Sequence, residues 1–182
     1  LMENCNVIKR ILFKSIEYIC AKRKCVTISC SAGEHLETLK LTKKAKYVNN
    51  GININELQKN IDKTEKIKHP FTVFTLGRIC YQKNPTLFNE IAKKLPDIRF
   101  VWIGDGELKN ELDSSNIEIT GWVDRMTAIK YSVNADVFIL TSRWEGLPIS
   151  LLEAMYMKKV CMVSNVIGNR DVIDNNYNGF IC

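Results

Sequence analysis

The sequence predicts an α/β fold in which a parallel sheet carries helices on both faces. Three observations lead there. From Phe71 to the end, short apolar runs alternate with segments of helical character, strand after helix after strand. The runs within FTVFTLGR, IRFVWIG and DVFILT are apolar at neighbouring positions instead of every second one, as strands buried on both faces are. The length, 182 residues, suffices for one domain with a proper core, or a domain plus part of another.

Each element has its own signal. Val7, Ile8, Ile11, Leu12, Ile16, Ile19 and Cys20 recur at three- and four-residue spacing, which predicts an amphipathic helix over about 4–22. CVTISC (25–30) reads as a short buried strand, and a second helix is expected from about Ala32 to Lys44. Lys46 to Val48 is extended, Asn49-Asn50-Gly51 a turn, and Asn53 can cap a short helix toward Ile61. The lysine-rich 62–70 segment, ending in Pro70, reads as a linker or exposed loop. Strands then follow in FTVFTLGR, at 98–104, 117–120, 136–141, 160–164 and 179–182. Between them, helices are expected at 84–95, 107–112, 125–132, 148–157 and 168–174, with Pro96 ending the first and Pro148 suiting the first turn of the fourth.

Composition is that of an ordinary globular chain, 46% apolar and 25% charged. No apolar run approaches the roughly 18 residues needed to span a bilayer. The opening LMENCNVIKRILFK carries charges at the wrong places for a signal peptide, and the Leu before Met2 suggests a fragment boundary. Seven cysteines, with no CxxC pair, sit largely in apolar runs and imply a reducing cytosol and no structural metal. Charge is uneven: residues 1–70 hold 14 basic and 7 acidic side chains, net +7, and residues 71–182 hold 12 and 13, net −1. The clusters Lys22-Arg23-Lys24, Lys40/Lys43/Lys44/Lys46 and Lys63/Lys66/Lys68 fit a solvated face first, and peripheral contact with anionic lipid headgroups second. No aromatic residues interleave them as stacking platforms, which argues against nucleic acid.

In a parallel sheet, ligands bind beyond the carboxyl ends of the strands. Gly77-Arg78 leaves one strand end and Lys83 precedes the next helix, so two cations near a helix N-terminus form a natural diphosphate site; ordinary surface cations are the alternative. Gly104-Asp105-Gly106 lacks the third glycine of the dinucleotide fingerprint, because position 109 is Lys, and Asp105 is expected to cap a helix. Gly121-Trp122-Val123 could receive a base on its backbone, or Trp122 could simply pack. In SRWEGLPISLLEAM, Glu145 lies in a loop and Glu153 well into a helix. Free N–H groups near Leu147, Pro148, Ile149 and Ser150 suit phosphate oxygens, with proline itself lending only backbone shape. The glutamates would repel phosphate but accept paired hydroxyls, as a ribose or sugar ring offers; a structural salt bridge is the equal alternative. His35 and His69 read as surface histidines.

These segments in this order resemble the retaining GT-B glycosyltransferases of the "glycosyl transferases group 1" type. The matching stretches are VNNGIN (48–53), LGRICYQKNP (76–85), WIGDGELKNEL (102–112), ITGWV (119–123), ADVFILTSRWEGLPISLLEAM (135–155) and NNYNGFI. The two glutamates separated by seven residues are the most specific feature, supported by the five-residue spacing of Arg78 and Lys83. The resemblance implies a Rossmann-like fold, the C-terminal half of a GT-B pair. Residues 1–62 would be a remnant of the acceptor domain with the connection, and 70–182 the nucleotide-sugar-binding domain, incomplete at its end. It implies that Arg78 and Lys83 bind the diphosphate and stabilise the leaving group, and that Glu153 holds the ribose. Glu145 would contact the donor sugar, and backbone from Gly146 to Ser150 would lie near sugar and phosphate. Backbone at Trp122-Val123 would meet the base.

The resemblance further implies a UDP-sugar donor by family frequency, no cofactor, no metal, and a glycan or lipid-linked acceptor in surface polysaccharide assembly. The place would be the cytoplasm, at the inner membrane face. Asn49 stands where the family usually has proline, and Asn84 where glycine is frequent. Most of the first domain is lacking, so this stretch should bind donor without completing transfer alone. Two rivals are a nucleotide-sugar epimerase of the same fold, for which no strand-end histidine is found, and a non-catalytic nucleotide-sugar-binding module.

Overall fold

The structure is a computed structural model describing residues 6–23 and 25–182. In chain order it runs α1 (Val7–Ala21), β1 (Thr27–Ser29), α2 (Ala32–Leu39), β2 (Ala45–Tyr47), α3 (Ile54–Asp62), β3 (Thr72–Leu76), α4 (Pro85–Lys94), β4 (Arg99–Ile103) and β5 (Ile117–Ile119). Then come α5 (Arg125–Val133), β6 (Val137–Leu140), α6 (Ile149–Tyr156), β7 (Val160–Val163), α7 (Ile167–Arg170) and β8 (Phe180–Ile181). Short 3-10 turns occupy Tyr81–Lys83 and Lys109–Glu111, the second replacing the helix expected over 107–112.

Six strands form one sheet in the order β5-β4-β3-β6-β7-β8, every pairing parallel. The α/β class with a Rossmann-like parallel sheet is therefore what the molecule has. The chain starts the sheet at β3, moves outward through β4 to β5, then returns to lay β6 on the other side of β3. Order thus reverses between β3 and β6, which opens a crevice beyond their carboxyl ends.

Neighbouring strand residues go to opposite faces, and both are buried. Phe74, Val101, Phe138, Leu140, Leu151 and Cys161 share one apolar cluster, whereas Val73, Phe88, Phe100, Trp102 and Ile139 share another. Phe88 meets Phe100 and Trp102 edge-on, fixing α4 against the sheet. Cover on the α4 side is incomplete: an apolar cavity of about 480 Å³ lies beside Leu87 and Ile91, over Val137, Ile139 and Met162. Residues 54–62 join this larger unit, because Leu57 of α3 is buried against Ile129 and Val133 of α5. Asn53 caps α3 by accepting from the Glu56 N–H at 3.1 Å.

The first segment is built differently. β1 and β2 pair only with each other, in parallel. CVTISC is not a buried strand, since Ile28 is 65% exposed on a two-stranded sheet with one open face. α2 stops at Leu39, short of Lys44: Leu41 and Thr42 N–H groups turn back to the Thr38 carbonyl. α1 forms as its spacing predicts, with Asn6 accepting from the Lys9 N–H, and its apolar residues Val7, Ile8, Ile11, Leu12, Ile16 and Ile19 are exposed. Arg23, Lys43, Lys44, Lys46, Lys63, Lys66 and Lys68 are exposed as well; Lys24 lies outside the described residues.

Candidate functional site

The crevice gathers three loops. Residues 77–84 follow β3, residues 104–108 follow β4, and residues 141–148 follow β6. The first two are locked together at their starts. Gly104 has φ +142°, and a Cβ there would run into the Gly77 carbonyl. Ile79 donates to the Asp105 carbonyl at 2.8 Å and the Trp102 indole to the Gly77 carbonyl at 2.9 Å. Asp105 does not cap a helix; its carboxylate accepts from Gly106 N–H at 2.8 Å and so shapes the turn. The third loop is tied to the first: Thr141 donates to the Lys83 carbonyl, Arg143 N–H to the Gln82 carbonyl and Gln82 Nε2 to the Trp144 carbonyl.

This framework brings Lys83 and Glu145 together from 62 residues apart. Lys83 Nζ donates to Glu145 Oε1 at 2.6 Å, and Ser142 Oγ donates to the same oxygen at 2.6 Å. The two side chains are 16% and 6% exposed. Ion pairs so little exposed are strong only when hydrogen bonding is complete, as Ser142 helps make it here. Arg78 does not join them. Its Nε donates to Glu107 Oε2 at 3.1 Å, with both side chains well exposed. The cations that sequence spacing pairs thus face different carboxylates, because the 3-10 turn at Tyr81–Lys83 sends Lys83 back over Gly77 toward β6.

Asn84 explains its own departure from glycine. It lies in the left-handed region (φ 54°, ψ 61°), a conformation asparagine tolerates better than most residues. Its side chain also accepts from Arg143 Nη2 at 2.9 Å. Pro85 follows as the first residue of α4.

Glu153 is buried on α6 among Leu151, Ala154 and their neighbours. It accepts at Oε1 from Arg125 Nη2 at 2.8 Å, so the salt bridge weighed as an alternative does form. Arg125 also donates through Nε to Glu56 Oε1 at 2.7 Å. The hydrogen bond its guanidinium donates to Glu153, foremost, raises the pKa of Arg125 further. Sequence reading missed Arg125. Its position directly after the cap Asp124 was visible, but no spacing rule joins it to a carboxylate 28 residues on.

The remaining positions divide by exposure. Leu147 and Pro148 are buried, Gly146 and Ser150 half-buried, and Ile149 exposed. Pro148 is the N-cap of α6, one residue before the expected place, and gives the helix no side-chain cap. The first-turn N–H groups of α6 therefore stay free of a capping side chain. Val123 packs against the sheet cluster, but Trp122 does not pack: it is 78% exposed. The first segment reaches the same loop. Asn50 Nδ2 donates to the Leu147 carbonyl at 2.8 Å, and a Cβ on Gly146 would meet Cys30 Sγ. Burial, then the hydrogen bond and charge of Glu34, push the Cys30 thiol up to about 11.

Neither histidine joins the crevice, and neither is the simple surface residue expected. His35 stacks near Tyr47 with Nδ1 buried, and His69 stands 3.7 Å from Asp136 at the opposite end of the sheet. Among the described residues, no group of three or more His, Cys, Asp or Glu is placed to hold a metal ion. Among them, too, no helix is long and apolar enough to cross a membrane.

Comparison with known proteins follows the same outline. A family model described as glycosyl transferases group 1 matches residues 56–182. The chain is 34% identical to the UDP-Gal:alpha-D-GlcNAc-diphosphoundecaprenol alpha-1,3-galactosyltransferase of Escherichia coli, over 94% of this chain and 51% of that one. It is 31% identical to a GalNAc-alpha-(1->4)-GalNAc-alpha-(1->3)-diNAcBac-PP-undecaprenol alpha-1,4-N-acetyl-D-galactosaminyltransferase of Campylobacter jejuni, over 60% of this chain and 33% of that one. The match thus spans about half the length of the first relative and a third of the second. Among solved structures, HepE of Anabaena, in complex with UDP and glucose, superposes with TM-score 0.74 at 16% identity, over 93% of this chain and 52% of that one. TarM of S. aureus, in complex with fondaparinux, alpha-GlcNAc-glycerol and UDP, gives TM-score 0.76 at 21% identity, over 99% and 38%. At such identities the likeness is one of fold.

Proposed function

Because the chain belongs to the glycosyl transferases group 1 family, we propose that it is the donor-binding half of a retaining glycosyltransferase that moves a sugar from a nucleotide donor to a glycan or lipid-linked acceptor. The observation that carries this reading is the Lys83–Glu145 pair, held nearly out of solvent at the point where strand order reverses. A cation and a carboxylate side by side match a ligand with both anionic and hydroxyl groups, which is what a sugar diphosphate presents.

In this reading Lys83, held in place beside Glu145, turns its remaining N–H groups to the diphosphate, and Glu145 accepts hydroxyl hydrogen bonds from the donor sugar. Arg78, whose exposed partner Glu107 holds it weakly, swings to the same phosphates. The bond from the anomeric carbon to the diphosphate oxygen breaks as an acceptor hydroxyl oxygen bonds to that carbon on the same face, and the acceptor's proton passes to the departing phosphate oxygen. Negative charge collecting on the departing phosphate is offset by Lys83, Arg78 and the first-turn N–H groups at Ile149 and Ser150. Glu153 accepts the ribose hydroxyls. Backbone at Gly77 and Gly146 lines the phosphate and sugar, and the backbone at Trp122-Val123 receives the base. No metal or cofactor is assigned a part.

A UDP-linked donor and a lipid-linked acceptor are supported by the E. coli relative, whose name states both. Surface polysaccharide assembly is part of the same proposal. The exposed lysines of 40–68 favour work at the cytoplasmic membrane face, with anionic headgroups as their contact. Calorimetric titration of the full-length protein with UDP-, GDP- and ADP-sugars tests the reading: saturable binding of one nucleotide class is expected, and none with any class contradicts it. Cosedimentation with anionic vesicles tests the membrane contact.

A further inference from the structure

We propose that Arg125 is a positioning residue for the nucleotide, holding one oxygen of Glu153 so that the other is presented to the ribose hydroxyls. The inference rests on the role given above to Glu153.

Three observations lead to it. First, Arg125 engages two carboxylates with two different nitrogens, Nη2 to Glu153 at 2.8 Å and Nε to Glu56 at 2.7 Å. Two contacts through a planar fork fix the plane of the guanidinium, which a lysine cannot reproduce. Second, the pairs differ in surroundings. Glu56 is half-exposed, so its contact is screened and serves to aim the fork, whereas the Glu153 side chain is only 8% exposed. A carboxylate that buried is costly without a partner, and Arg125 supplies one. Third, only Oε1 is engaged: among the described residues Oε2 of Glu153 accepts no hydrogen bond. A carboxylate with one oxygen anchored and the other free is a preorganised acceptor for a diol. Arg125 also begins α5 immediately after the 121–124 loop assigned to the base, so one side chain couples the supports of base and ribose.

The test compares UDP with 2′,3′-dideoxy-UDP, by calorimetry on the full-length protein. Arg125→Met is expected to weaken UDP by about tenfold, the worth of one hydrogen bond to a charged group, and to leave the dideoxy nucleotide within about twofold. Glu153→Gln should show the same selective pattern. Arg125→Lys, which keeps the charge and guards against a misfolded Met variant, should lose about threefold on UDP alone. With the donor sugar nucleotide, KM should rise while kcat changes little. Equal weakening of both nucleotides by Arg125→Met would show a merely structural residue and overturn the proposal. So would a selective loss in Glu153→Gln with none in either Arg125 variant, leaving the reading of Glu153 intact. If Glu153→Gln binds both nucleotides like wild type, the underlying reading fails and this inference with it.

Discussion

Two regions of one sheet edge carry the same charges and use them differently. At the β3–β6 crevice, Lys83 and Glu145 face each other nearly out of solvent; one strand away, beyond β4, Arg78 and Glu107 meet at 66% and 51% exposure. The sequence offers both cations on equal terms, five residues apart. The fold separates them because Lys83 is carried by a 3-10 turn that hydrogen bonds of Gln82 and Lys83 tie to the loop after β6, whereas Arg78 follows the glycine just past β3 and is exposed. The lesson is energetic. A buried pair is held strongly and fails badly when halved, while an exposed pair is worth little and is free to change partners. A diphosphate site needs both kinds: one fixed cation to define the place, and one mobile cation to close on it.

The largest break in this comparison should come from the buried side. Lys83→Met leaves the Glu145 carboxylate with only the neutral donors Ser142 and Gln82 among the described residues and should cost about 3 kcal/mol of stability, read by denaturant unfolding. Pairing it with Glu145→Leu should recover more than half, because the two changes couple. Next in size is a backbone effect within the same loop. Asn84→Val forces a β-branched residue into φ 54° and should cost about 2 kcal/mol, while Asn84→Gly stays within about 0.5 kcal/mol. On the exposed side, Arg78→Ala should leave stability within about 0.5 kcal/mol. Its loss in nucleotide affinity should be only about threefold and shrink further at 0.5 M salt, as screening requires. A last effect, without cost to stability, sharpens the contrast by chemistry. A thiol pushed up to about 11 carries little thiolate near neutrality, so Cys30 should react with iodoacetamide well over tenfold more slowly than exposed Cys20 or Cys182 at about pH 8. Its rate should climb as pH rises toward that value, and mass spectrometry of the alkylated peptides follows it.

How much of this the sequence discloses depends on the range of the interaction. Apolar runs such as RFVWI and VFIL announce strands buried on both faces, and Asn53 announces its cap, because periodicity and capping act over a few residues. Element ends drift where a local turn competes, as at Leu39 and Pro148. Partners across the sheet stay hidden. Nothing local tells that Lys83 meets Glu145 or that Arg125 meets Glu153, since both depend on strand order. Trp122 is ambiguous for the same reason: whether an indole packs or projects depends on whether a neighbouring element covers it, and among the described residues none does.

The central claim, that the crevice between β3 and β6 binds a sugar nucleotide through Lys83, is met most directly by titrating UDP-sugar into the full-length wild type and its Lys83→Met variant, each verified as folded. The account predicts saturable binding in the first and at least about a tenfold loss in the second, the worth of a charge-assisted phosphate contact. Equal affinity in both would contradict it.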